Sequence, residues 1–465
     1  MNHLETLDGY FKEKRDEHLD QLKDFLRIPS ISALSEHKND MQKAAEWLLT
    51  SFKTAGLENL SIDETDGHPV VYADWLHAEG KPTILMYGHY DVQPVDPLNL
   101  WETGPFEPEV RANKLYARGA SDDKGQVFMH IKAVEALMQK TGGLPINVKF
   151  IIEGEEEIGS PNLEKYIVAN KDKLAADIIV ISDTGMQGPG QPAVCYGLRG
   201  LCGVQIDVQG AKSDLHSGLY GGGVQNPIHA LAEVLASFRD QEGTIAIEGF
   251  YDNVRPLLDE EREAYQALGF NEGELKEEIG VTELFGEKGY SYLERTWTRP
   301  TLEVNGIVGG FSGEGIKTVL PAEASAKITC RLVPDQAPDE IVEKLKAHIE
   351  KHKPVGITVK VTEFDKGKPF ITPFDHPAIQ AAGRSYQKVY NVPTAYTRGG
   401  GSIPIVAAFD EILELPVVLM GFGLASENFH APNEHFHLEN FDQGLRVIGD
   451  YYYEIASFEK DELKK

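Results

Sequence analysis

Four carboxylates fall within five residues in Glu153-Gly154-Glu155-Glu156-Glu157, directly after the apolar run Val148 to Ile152. Like charges crowded at the end of a buried strand are costly unless a cation or a proton offsets them. Such a cluster alone is ordinarily a solvated turn. Here His89, Asp91, Asp122, Asp183 and His430 occupy comparable strand-end or turn settings elsewhere in the chain, and together they point to a metal site.

Each residue also has an ordinary structural explanation. His89 and Asp91 are separated by one residue at a strand end, so an extended chain puts them on one side. One can bind a metal while the other orients it, or both can be hydrogen-bonded in a loop. Asp122 and Asp123 precede a helical segment in a glycine-containing turn, where a carboxylate can cap the helix or sit between two cations. Asp183 follows the apolar run Ile178 to Ile181 and Ser182. His430 competes with His435 and His437, and spacing alone does not rank the three.

Taken together, His89, Asp122, Glu157, Asp183 and His430 supply two nitrogen and three carboxylate ligands. If Asp122 bridges, each of two ions receives a histidine, the shared aspartate and one further carboxylate. Room remains for water, as a hydrolytic site requires. Zinc or manganese suits this mixed donor set. Glu156 adjoins Glu157 but should point differently, which makes it the general-base candidate, with Glu153 and Glu155 as alternatives.

These residues need a scaffold. Apolar periodicity predicts helices over about 4–26, through Met41 to Phe52, over Gln126 to Met138 and over Asn162 to Ala169. Strands are expected at Val70 to Trp75, Thr83 to Tyr87, Val148 to Ile152 and Ile178 to Ser182. Strands alternating with helices indicate an α/β sheet, and its strand C-terminal ends are where such sheets bind ligands. Near residue 200 the pattern changes. Cys202 to Val208, Ala324 to Leu332 and Ile357 to Phe364 alternate as strands, with helices from Asn226-Pro227 and over Pro338 to Ile349 and a charged helical region over 256–278. Helix over Pro377 to Val389, strand over Leu415 to Met420 and helix over His437 to Ser457 then follow. The expected organisation is residues 1–200 and 373–465 in an α/β domain, with 201–372 inserted as a smaller α+β domain.

Bulk properties bound the reading further. The 465 residues, 41% hydrophobic, exceed one ordinary core. A net charge of −28 repels phosphate backbones, so no nucleic-acid partner is expected. Three cysteines, Cys195, Cys202 and Cys330, form no disulfide framework and no C-x-x-C pair. No signal-like start and no apolar run of 18 residues is present, so a cytoplasmic protein without membrane contact is expected.

The chain resembles the M20 metallopeptidase family, in its cytosolic nonspecific dipeptidase and carnosine-dipeptidase branch. The resemblance spans nearly the whole chain. It rests on Gly88-His89-Tyr90-Asp91-Val92-Gln93-Pro94, Arg118-Gly119-Ala120-Ser121-Asp122-Asp123-Lys124-Gly125, Glu153 to Ser160 and the Asp183 strand end. It implies an α/β catalytic domain with an inserted α+β lid and dimerisation domain. It implies that His89, Asp122, Glu157, Asp183 and His430 hold two ions, with Asp122 bridging, Asp91 orienting His89 and Glu156 as the base. It also selects His430 over its two neighbours.

In the inserted domain, Asp214 to Gly222 resembles the family segment whose histidine reaches the partner subunit's active site, which casts His216 as a donor to the scissile carbonyl oxygen in a homodimer. Without the resemblance, His216 reads as a surface-loop histidine. Arg331 can clamp a peptide's terminal carboxylate, or make an interdomain salt bridge. Arg398-Gly399-Gly400-Gly401-Ser402 resembles a substrate loop, with Arg398 and Ser402 as ligands, although the related pattern often has glutamate where Gly399 stands. Asn305 is a further candidate for carbonyl or cross-subunit contacts. The implied activity is hydrolysis of dipeptides or short peptides with a free C-terminal carboxylate. The alternatives are an N-acyl amino-acid deacylase (aminoacylase), built on the same water chemistry, and a non-catalytic metal-dependent peptide-binding protein.

Overall fold

A computed structural model describes residues 3–400 and 404–464. The chain divides into two compact units. The first comprises Met1–Tyr196, Thr372–Thr397 and Pro404–Lys465, and the second Gly197–Ile371 with Arg398–Ile403.

Seven strands of the first unit's sheet lie in the order Glu58–Asp63, Val70–Trp75, Asn147–Glu153, Thr83–His89, Ile178–Ile181, Val417–Leu419 and Ala193–Leu198. The four from Asn147–Glu153 to Val417–Leu419 are parallel to one another, and their outer neighbours are antiparallel. Every residue of Thr83–His89, Asn147–Glu153 and Ile178–Ile181 is buried, as continuous apolar runs in a sheet covered on both faces must be. Parallel register sets His89 beside Glu153. The parallel strands therefore deliver His89, Glu153 and the approach to Asp183 to one edge of the sheet, the C-terminal edge where α/β sheets bind ligands.

Helix Lys124–Thr141 is the centre of the unit, buried from Lys124 through Leu137. It packs against helices His3–Leu26, Lys38–Ala55 and Leu438–Ala456, the last of which also covers Pro377–Tyr390. Phe25 stacks on Trp47 at 4.3 Å between ring centroids, and Phe52 meets Phe150 at 5.0 Å. Burying each such side chain contributes roughly 1.5–3 kcal/mol. The helix begins hard against the sheet. A Cβ at Gly88 would lie 2.4 Å from Val127 Cγ2, and one at Gly125 only 2.0 Å from the Ala120 carbonyl oxygen. Both positions need glycine for this close approach.

The second unit carries a four-stranded antiparallel sheet in the order Thr301–Gly309, Glu323–Leu332, Gly200–Gln209, Thr358–Gly367. Along Glu323–Leu332 burial alternates, and the buried face packs with helices Pro227–Ala236 and Pro338–His352 around Val204, Ile206, Ile328, Leu231 and Leu345. Asn226 caps the first of these helices, its Oδ1 accepting the Ile228 N–H at 2.9 Å, with proline at the first helical position. The charged tract resolves into two helices, Asp259–Ala267 and Glu272–Ile279. Strands Glu58–Asp63, Ala193–Leu198 and Thr301–Gly309 and helices Tyr292–Thr298 and Pro404–Ile412 were not evident from periodicity. Thr301–Gly309 explains why: it is an edge strand, mostly exposed, with a register shift at Asn305 that breaks alternation.

Candidate metal centre

Strand ends and two loops converge in the first unit on two groups of ligand atoms. His89, Asp122 and Asp183 form one, and Asp122, Glu157 and His430 the other. In the first, His89 Nε2 lies 3.2 Å from Asp122 Oδ1 and 3.9 Å from Asp183 Oδ2. In the second, His430 Nε2 lies 2.9 Å from Asp122 Oδ2 and 3.2 Å from Glu157 Oε2. Asp122 thus turns one oxygen to each histidine, the disposition of a bridging carboxylate.

Asp91 is fully buried and ties three parts of the site together. Its Oδ1 lies 3.3 Å from His89 Nδ1, leaving Nε2 directed at the ligand group. The same carboxylate accepts the Glu156 N–H at 3.2 Å and the Glu157 N–H at 3.1 Å. It therefore fixes the turn that presents both glutamates. Gln93 donates to Glu157 Oε2 at 2.8 Å and sets its side chain. Asp123 occupies the position before helix Lys124–Thr141 but does not cap it, since its Oδ2 accepts the His89 N–H at 3.3 Å.

The acidic cluster divides by partner. Glu153 accepts from Tyr87 Oη at 2.6 Å and Ser160 Oγ at 2.8 Å. Glu155 accepts from Asn162 Nδ2 at 2.9 Å and from the His68 N–H at 3.1 Å, which commits it to holding loops. Glu156 has neither kind of anchor. Burial, then Asp183, Glu157 and Asp122, push it up to about 9 against the pull of His89. Burial and Asp122 likewise raise Asp183 to about 7. Burial would raise Asp122 too, but hydrogen bonds from His430 and His89 hold it well below the usual carboxylate range. His430 is pushed up to about 10, chiefly by Asp122 and then Glu157. Burial and crowded carboxylates thus raise Glu156 and Asp183, while Asp122 and the two histidines stabilise one another's charges, and the space still holds more negative charge than the histidines offset. Two divalent cations would offset it, and the nitrogen and oxygen donors fit them.

The other histidines near His430 are spoken for. His435 Nδ1 is 3.0 Å from the Asn433 carbonyl and its ring packs on Tyr116 at 4.8 Å. His437 Nδ1 is 2.6 Å from Glu427 Oε1.

The remaining candidates lie in the second unit. His216 is exposed, and its Nδ1 accepts the Gly218 N–H at 3.0 Å, so the proton of the neutral ring sits on Nε2 as a donor. Asn305 is exposed at the strand irregularity. Arg331 is half-buried on Glu323–Leu332, opposite Leu201. Arg199, which the sequence did not single out, falls two residues from Leu201 on the same chain. Burial and then Arg331 lower it to about 10, and its Nη1 is buried without a hydrogen-bond partner. A guanidinium that lies in the field of Arg331 and keeps one buried nitrogen unpartnered would favour an anion there. Arg398 is buried in an ion pair with Glu261, which compensates its charge. Ser402 lies outside the described residues.

Comparison with known proteins agrees with this geometry. Residues 85–454 match the family described as Peptidase family M20/M25/M40. The chain is 32% identical to the Cys-Gly metallodipeptidase dug1 of Schizosaccharomyces pombe, over 98% of both chains. It is also 32% identical to the human Beta-Ala-His dipeptidase, over 97% of this chain and 93% of that one. Among solved structures, an M20 family metallo-carboxypeptidase, Sso-CP2 from Sulfolobus solfataricus, superposes with a TM-score of 0.79 at 35% identity, covering 95% of this chain and 100% of that one. A family match across most of the chain, full-length relatives and a two-part ligand set sharing one aspartate lead to one conclusion: this chain is a member of peptidase family M20/M25/M40.

Proposed function

We propose that the chain is a dinuclear metal-dependent dipeptidase, cleaving dipeptides or short peptides that carry a free C-terminal carboxylate. The observation that carries this reading is the pair of ligand groups sharing Asp122, with the unanchored carboxylate of Glu156 beside them. The names of the two dipeptidase relatives support the substrate class.

His89, Asp122 and Asp183 would hold one ion, and Asp122, Glu157 and His430 the other. Zinc or manganese suits the donors. Bound there, the ions would polarise the scissile carbonyl and lower the pKa of water. Glu156 accepts the proton of the attacking water and passes it to the leaving nitrogen, so that amide plus water becomes acid plus amine. Asp91 orients His89. His216 Nε2–H donates to the carbonyl oxygen as negative charge develops. Arg331, joined by Arg199, receives the terminal carboxylate, with Asn305, Arg398 and Ser402 as further substrate-side candidates. The second unit serves as lid and dimerisation domain of a homodimer, with His216 acting across subunits. The scarcity of cysteine, three in 465 residues, supports a cytoplasmic setting.

The test is a substrate panel with metal-loaded enzyme: Ala-Ala, Cys-Gly, β-Ala-His, their C-terminal amides, tripeptides and N-acetyl amino acids. Free dipeptides should be turned over, and the amides should lose about 100-fold or more in kcat/KM, since two guanidinium groups would be left without their anion. Faster turnover of N-acetyl amino acids would make the protein a deacylase. Tight dipeptide binding with no hydrolysis would make it a binding protein. A preference for longer peptides would favour the carboxypeptidase activity named for the Sulfolobus relative.

A further inference from the structure

The loop that carries His430 enters the left-handed region of backbone conformation three times. Asn428, His430 and Asn433 have φ of 59°, 59° and 62°, left-handed values at residues other than glycine. Such backbone persists only where its surroundings impose it. His430 is also the most exposed of the five proposed ligands. Its side chain is 55% exposed, against 18% or less for His89, Asp122, Glu157 and Asp183.

Two fully buried glutamates bracket this loop, Glu427 before His430 and Glu434 after it. Glu427 accepts the N–H groups of Leu424 at 2.8 Å and His437 at 2.9 Å, closing the loop on itself. It also lies 2.6 Å from His437 Nδ1, and one further bond leaves the loop: Ser121 Oγ donates to it at 2.5 Å. Glu434 accepts the N–H groups of Gly119 at 3.1 Å, Ser121 at 3.1 Å and Asp122 at 3.2 Å, and Arg118 Nη1 at 2.8 Å. Both carboxylates therefore grip the 118–122 turn, whose last residue is the shared aspartate. Ser121 is held by both, through its N–H by Glu434 and through its hydroxyl by Glu427. In the other ligand group His89 and Asp183 ride on the ends of strands Thr83–His89 and Ile178–Ile181, and His89 is held by Asp91 and Asp123 rather than by either of these glutamates.

We infer that Glu427 and Glu434 are positioning residues that clamp the His430 loop to the Asp122 turn, and so set the affinity of the Asp122–Glu157–His430 group for its ion while leaving the His89–Asp122–Asp183 group nearly unchanged. The inference rests on the dinuclear reading above. Neither glutamate touches an ion or substrate. Each acts through the placement of His430 relative to Asp122, as residues behind metal ligands do.

The test is calorimetric titration of the metal-free protein with Mn(2+), reading two equivalents separately. Wild type should bind two, and a wild type that binds fewer would overturn the dinuclear reading itself. Glu427→Gln keeps the shape of the side chain but presents an amide to donors that need an acceptor. It should weaken one equivalent by about 10- to 100-fold and leave the other within about threefold. That pattern should match His430→Ala and differ from Asp183→Asn, which removes a ligand of the other group. Glu434→Gln should behave alike. Where loss of the buried partner of Arg118 unfolds that variant, Ser121→Ala, which removes a single hydroxyl, should still weaken the same equivalent. If wild type binds two ions and folded Glu427→Gln and Ser121→Ala also bind two with unchanged affinity, or lose both equivalents alike, the clamp is refuted.

Discussion

Glu156 and Glu157 are adjacent yet differently employed because a single tight turn, Glu156–Ile158, separates their carboxylates while Asp91 holds both of their N–H groups. Glu157 is pinned by Gln93 and belongs to a ligand group, whereas Glu156 stands in the field of the ligands without an anchor of its own. Glu156→Gln should therefore lower kcat by about 100- to 10,000-fold, the range of general acid–base catalysis, with two metal equivalents retained. Near-normal turnover would remove Glu156 from the base role. Part of this arrangement is legible in the sequence, because His89, Asp183 and the acidic cluster each follow an apolar strand and Asp122 stands in a turn before a helix. His430 is not legible in the same way. What separates it from His435 and His437 is that those two rings are engaged by Asn433, Tyr116 and Glu427, a matter of tertiary contact. Gln93, Glu427, Glu434 and Arg199 are invisible for a related reason: each acts on a residue distant in sequence, and no local spacing reports that.

At the scale of elements, helix His3–Leu26 depends on one buried carboxylate of helix Lys124–Thr141. Glu135 accepts from Tyr10 Oη at 2.9 Å and from Lys132 Nζ at 2.6 Å, and lies 3.3 Å from His18 Nε2. Burial would raise its pKa, but the His18 hydrogen bond and the Lys132 charge win and depress it to about 2. A carboxylate depressed in the folded state contributes stability that is fully present above its unfolded pKa, near 4.5, and is lost as pH falls from there through about 2. Discounted for partial solvent screening, the contribution at neutral pH is roughly 2 kcal/mol. Glu135→Gln should lower the Tm at pH 7 and flatten the loss of stability between pH 4.5 and 2, as thermal melts across that range would read. An unchanged acid limb would remove Glu135 from this role. Such a helix pair is also the kind of element that periodicity finds, since both are long and their apolar stripes are regular. The elements it did not find are short, or lie at edges such as Thr301–Gly309, where tertiary context rather than pattern decides the strand.

At the scale of the whole molecule, the second unit exposes large apolar side chains on an acidic protein of net charge −28. Ile307 is 61% exposed, Val308 72%, Phe311 49% and Ile316 93%, on or just after a strand that pairs on one side only among the described residues. Exposed apolar side chains beside an unpaired strand edge are a liability in a monomer and an interface in a symmetric dimer. In the proposed homodimer these side chains would be covered, and the exposed His216 would act in the partner's site. Replacing Ile307 and Val308 together by lysine should yield a monomer, by sedimentation, that is as impaired as His216→Ala. The sharper experiment pairs two inactive chains. In a heterodimer of Glu156→Gln with His216→Ala, the subunit that keeps Glu156 receives the intact His216 of its partner, and the other site lacks both. Random pairing of equal amounts makes about half the dimers mixed, each with one working site of two, so co-expression should restore about a quarter of wild-type turnover. If His216 serves its own subunit, every site in the mixture lacks one group and no activity returns. Recovery would thus establish that the catalytic unit of this peptidase is the dimer, and its absence would confine each active site to a single chain.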